Sequence, residues 1–71
     1  MTQREWIDLL THLRSRYHLT QEELAGALGV TNRTVSNWER GEVRPFRRNV
    51  QRVLALEREL RRVREGRRGE R

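Results

Sequence analysis

Apolar residues over the first forty positions recur at helical spacing, and polar caps interrupt them. Trp6, Leu9, Leu10, Leu13 and Tyr17 share one helix face, and Thr2 with Glu5 three residues later forms a capping box ahead of them. This predicts a first helix over residues 3–17. Thr20 with Glu23 repeats the capping box, and Leu24, Ala25 and Leu28 supply the inner face of a second helix over 21–28. Gly29 ends it. Thr31 caps a third helix over 32–40, with Val35 and Trp38 inside and Gly41 as its stop. No segment shows the two-residue alternation of a strand and no internal repeat is visible, so the expected fold is all-α.

The only proline, Pro45, suits a helix's first turn and predicts a fourth helix over 45–65. It carries two apolar stripes. Phe46, Val50 and Leu54, spaced by four, are expected to close the core of helices 1–3. Val53, Leu56, Leu60 and Val63 follow the 3-4-3 spacing of a coiled-coil seam and are expected to bury themselves in a dimer. The alternatives are that the seam packs back on its own domain or that the last turns fray. Gly66 and Gly69 among charged residues predict a flexible basic tail over 66–71. The domain proper is expected to span 1–65.

Composition narrows the function classes. A chain of 71 residues makes one domain and buries only about 60% of its unfolded surface, so its stability margin is thin. There is no cysteine, hence no disulfide and no thiolate metal site. No apolar run approaches a membrane span and no signal-peptide core is present. A soluble cytoplasmic protein with no membrane association is the expectation. All 16 basic residues are arginine. Residues 1–41 hold five Arg and five acids, whereas residues 42–71 hold eleven Arg and five acids, so the whole net charge of +6 follows the third helix. That asymmetry fits a polyanion partner or a basic tail, and also a solvated helix face.

Helices 2 and 3 carry the chemistry. Ala25 lies four residues before Gly29, Val35 six after it and Trp38 nine after it. A small residue lets two steeply crossed helices approach, glycine allows positive φ in the turn, and bulky apolar residues lock the second helix on the first. This is the pattern of a DNA-reading helix-turn-helix, here over 20–40. Val35 and Trp38 pointing inward leaves Asn32, Arg33, Ser36 and Asn37 on the outer face. Arg33 suits guanine, whose O6 and N7 match its planar fork, and Asn32 or Asn37 suits adenine. Simple solvation is the alternative for each. Gln21 and Thr31 lie at helix N-termini, where backbone N–H groups favour a phosphate; Thr31 could equally do no more than cap. Arg44, Arg47 and Arg48 follow closely enough to grip the DNA backbone, which positions without specifying sequence.

The stretch L-T-Q-E-E-L-A-x-x-L-G-V-T-x-x-T-V-S-x-W-E-R-G resembles the lambda-repressor-like helix-turn-helix family, the Cro and phage-repressor type also called the xenobiotic-response-element family. The resemblance covers about residues 5–45. It implies a four-helix domain, here with a long C-terminal helix in place of the family's usual fifth. It also implies that helix 3 enters the major groove, that the glutamine at Gln21 bridges phosphate and recognition helix, and that Arg14 pairs with Glu39. Without a pairing, Glu39 would repel DNA.

The leading functional expectation is a sequence-specific regulator of transcription, a repressor binding double-stranded DNA as a homodimer. Antitoxins, restriction controllers and phage regulators share that chemistry. The competing expectation is a protein-binding adapter whose long helix docks on a protein partner, with weak DNA contact. No enzyme is expected, because no cysteine nucleophile, Ser/His/Asp set, glycine-rich phosphate loop or paired carboxylate appears. No cofactor is expected. His12 and His18 lack a third ligand, so no metal is expected. Trp6, Trp38 and Tyr17 could stack on single-stranded bases, but their helical spacing favours the core.

Overall fold

The computed structural model describes residues 1–69, with side chains through Glu65. It contains four helices, α1 (Gln3–Tyr17), α2 (Gln21–Leu28), α3 (Asn32–Glu39) and α4 (Arg47–Gly69). Among the described residues there is no strand, and the fold is all-α. Helix α4 runs on to Gly69, so the expected end at residue 65 and the expected flexible basic tail are corrected over 66–69, which continue the helix. Side chains are described only through Glu65, and residues 70 and 71 of that tail lie outside the described residues.

Local chemistry sets the helix starts. The Thr2 hydroxyl accepts from the Glu5 N–H at 3.1 Å, and the Glu5 carboxylate accepts from the Thr2 N–H at 2.6 Å. These Thr2 contacts, the backbone one first, hold the Glu5 carboxyl below its ordinary range. Thr20 and Glu23 repeat the arrangement at 3.0 and 2.9 Å. Thr31 accepts from the Thr34 N–H at 3.1 Å and opens α3.

The helix ends differ from one another. Gly29 has φ 73° and lets the Val30 N–H reach back to the Ala25 carbonyl. Gly41, with φ 74°, does the same for α3, sending the Glu42 N–H to the Asn37 carbonyl. At the end of α1 the left-handed position is taken by His18 (φ 56°), and Leu19 closes the turn on the Arg14 carbonyl at 2.9 Å.

The core draws on all four helices: Trp6, Leu10 and Leu13 from α1, Leu24, Ala25 and Leu28 from α2, Val35 and Trp38 from α3, and Val53 from α4. Trp6 and Trp38 meet edge to face with ring centres 5.2 Å apart. Both indoles are nearly fully buried and Tyr17 is half-buried against the core, which leaves none of them as an open stacking platform.

Helix α4 departs from the expected arrangement in two ways. It begins at Arg47, and Phe46 is its cap: the Phe46 carbonyl accepts from the Asn49 and Val50 N–H groups, which leaves Pro45 outside the first turn. Its two stripes also exchange roles. Val53 is fully buried in the core and Leu56 and Leu60 pack against it, so of the expected dimer seam only Val63 is exposed. Of the expected core stripe, Phe46 (72%) and Leu54 (40%) are exposed and only Val50 packs inward. The rows lie side by side on one helix, and the direction in which α4 crosses α1 and α2 selects the second. Arg52 helps to fix that crossing by donating to the Leu28 carbonyl at the C-terminus of α2 (3.4 Å), where α2 has no basic residue of its own.

Candidate nucleic-acid interface

Helix α3 divides cleanly into two faces. Val35 and Trp38 are buried, Asn32 and Arg33 are exposed, and Ser36 and Asn37 are half-buried on the outer side. The turn at Gly29–Val30 and the Thr31 cap set that rotation, because they fix where α3 starts relative to α2. The first-turn N–H groups of a helix lack intrahelical partners, so the exposed start of α3 favours an anion. The Thr31 hydroxyl is occupied by its cap and by the Thr34 hydroxyl at 2.8 Å.

Behind this face, three helices meet on one carboxylate. Arg14 Nη1 donates to both Glu39 oxygens at 2.8 and 2.9 Å, and Gln21 Nε2 donates to Glu39 Oε1 at 2.8 Å. Arg14 Nε also donates to the Leu19 carbonyl at 3.1 Å. The Glu39 side chain is only 15% exposed. Its charge is thereby neutralised next to the outer face, and α1, the start of α2 and the end of α3 are fixed to one another. Gln21 retains its carbonyl oxygen and a second amide N–H for a further partner.

The positive charge is unevenly compensated. On the distal half of α4, Arg61 pairs with Glu57 and Arg62 with Glu59, each at 2.8 Å; the Glu57 contact raises the Arg61 pKa further above its ordinary value. Arg33, Arg44, Arg47 and Arg48 are exposed and have no ion pair among the described residues. Arg16, Arg52, Arg58 and Arg64 are likewise exposed without an ion pair among the described residues, so unpaired cations lie on α3, the loop after it and the first turn of α4 but are not confined there.

Two further residues belong to this surface. Arg40 caps α3 and its Nη2 donates to Asn37 Oδ1 at 3.2 Å, orienting the Asn37 amide. The half-buried Thr34 sits one turn from Asn37. The signal for Arg40 was its place three residues after Asn37, one turn on along the same face. His12 and His18 are both exposed, and no group of three metal-ligating residues gathers among the described residues. No helix among them is long and apolar enough to cross a membrane.

The model of a family described as helix-turn-helix, of the Cro/C1 type, matches residues 12–61. The type II methyltransferase M.SsoII of Shigella sonnei is 43% identical over 44 residues, which cover 58% of this chain and 12% of that protein. The chain therefore spans only a small part of that relative, in the helix-turn-helix region. No solved structure matches. With a matched segment covering all of α2 and α3 and most of the chain, the protein belongs to the Cro/C1-type helix-turn-helix family of DNA-binding domains.

Proposed function

We propose that the protein is a sequence-specific regulator of transcription, acting as a repressor by placing α3 in the major groove of double-stranded DNA. The observation that carries this reading is the division of α3: Val35 and Trp38 lock it to the core while Asn32, Arg33, Ser36 and Asn37 stay on the outer side. Arg33 and the two asparagines supply the forks and amides that read base edges. Gln21, Thr31, Arg44, Arg47 and Arg48 grip phosphates along the rim, unopposed by Glu39, whose charge is held by Arg14.

Two copies on a two-fold site would double the contacts and set the half-site spacing. The exposed surface left for such an interface on α4 is its distal end, around Val63, with Leu54 on another part of the helix. The same exposed end supports the second reading, an adapter or antitoxin-like protein that docks α4 on a protein partner.

Selection of duplexes from a random DNA pool at near-physiological salt, followed by sequencing, tests the proposal. An enriched inverted repeat with half-sites about one helical turn apart is the expected result. Binding without enrichment that vanishes as salt rises would replace the regulator reading with the adapter one.

A further inference from the structure

The loop between α3 and α4 has few contacts of its own. Val43, Arg44 and Pro45 take part in no backbone hydrogen bond among the described residues. Yet this loop carries Arg44, an exposed cation with no ion pair among the described residues, a few positions after the end of α3. Its first residues close back on α3 through the Gly41 and Glu42 N–H groups, and its tie to α1 is Gln3, at the start of that helix, whose Nε2 donates to the Gly41 carbonyl at 2.6 Å across 38 positions of sequence. It is the only side-chain hydrogen bond among the described residues that joins this loop to another helix than its neighbours. The approach is close: a Cβ added at Gly41 would lie 3.4 Å from Gln3 Nε2 and from Ile7 Cδ1. Gln3 and Arg44 also line the same open cavity of about 500 Å³, with Trp6, Pro45 and Val50.

We infer that Gln3 is a positioning residue for Arg44. It touches no nucleic acid itself. By fixing the Gly41 carbonyl three residues upstream, it holds the loop so that the Arg44 guanidinium meets a phosphate without first having to be ordered. Ordering a free loop on binding costs affinity, and a preformed one avoids that cost. The inference rests on the DNA-binding reading and adds to it a residue on α1, outside the helix-turn-helix.

The test uses the full chain and the duplex enriched from the random pool. Gln3→Ala is expected to lower affinity about three- to tenfold, the worth of one such hydrogen bond. It should also reduce the salt slope by about one phosphate contact. Arg44→Ala should do the same, and the double variant should be no worse than Arg44→Ala alone. Gln3→Met, neutral and of similar length but without an N–H donor, should match Gln3→Ala in both affinity and salt slope. A purely structural role would lower the melting temperature and leave the slope unchanged. Additive effects of Gln3→Ala and Arg44→Ala, or an unchanged slope, overturn the inference while leaving the DNA-binding reading intact. Absence of any sequence-enriched binding by the wild type overturns both.

Discussion

The Arg14 guanidinium and the Glu39 carboxylate lie 2.8 Å apart although 25 positions separate them, and Gln21 completes the contact from a third helix. One charge that would repel DNA is thus converted into a tie between α1, α2 and α3. With side-chain exposures of 31% and 15%, the pair is screened less than a surface ion pair and desolvated less than a core one. Arg14→Leu and Glu39→Gln should each destabilise the domain by about 1–2 kcal/mol, and the double variant should cost less than the sum. Urea unfolding of the four proteins measures this. Unchanged stability in Glu39→Gln would mean that the pair contributes nothing.

Reading and gripping residues should separate in binding assays. Arg33→Ala is expected to cost about 1–3 kcal/mol and to relax preference at one base position. Arg47→Ala should weaken all duplexes about equally and flatten the salt dependence. Identical behaviour of the two variants would dissolve the division between them.

His18 occupies a left-handed conformation that costs a side-chain-bearing residue more than glycine. The side chain is exposed and no hydrogen bond among the described residues uses it. His18→Gly should therefore raise stability by up to about 1 kcal/mol, offset in part by the greater freedom of glycine in the unfolded chain. Thermal unfolding decides it; a fall in melting temperature would mean that the imidazole makes a stabilising contact.

The two ends of the α4 stripe should answer differently to substitution. Val53 is fully buried, so Val53→Ala should cost about 2 kcal/mol in the single chain. Val63 is half exposed, so Val63→Glu should change that stability by less than about 0.5 kcal/mol. If the distal end of α4 joins two copies, Val63→Glu should also lower the mass seen in sedimentation equilibrium.

What could be read from the sequence was what depends on near neighbours. The capping boxes at Thr2–Glu5 and Thr20–Glu23 act over three residues, and Gly29 and Gly41 act on their own turns, so the boundaries of α1, α2 and α3 followed from local spelling, whereas both ends of α4 did not. The two stripes of α4 were visible, but their assignment was not. Both Phe46–Val50–Leu54 and Val53–Leu56–Leu60 satisfy helical spacing, and only the crossing of α4 over α1 and α2 decides between them. The Arg52–Leu28 and Gln3–Gly41 contacts span 24 and 38 positions and leave no pattern in either segment. The left-handed His18 was hidden because its residue type gives no strong signal. On the candidate interface, the outward residues of α3 followed from the inward ones. Arg40 escaped notice because its role depends on the direction in which its side chain folds back toward Asn37.

The contact between Trp6 and Trp38 makes the molecule's optical signal a local one. The chain has two tryptophans, and they touch each other inside the junction of α1 and α3. Intrinsic fluorescence therefore watches the seating of α3 on α1 and is nearly blind to the distal turns of α4. Far-ultraviolet circular dichroism weighs every helical residue, and α4 is the longest helix. Coincident melting by the two probes would mark a single cooperative unit. A dichroism loss that precedes the fluorescence change would mark a distal part of α4 that unwinds while the junction of α1 and α3 stays folded.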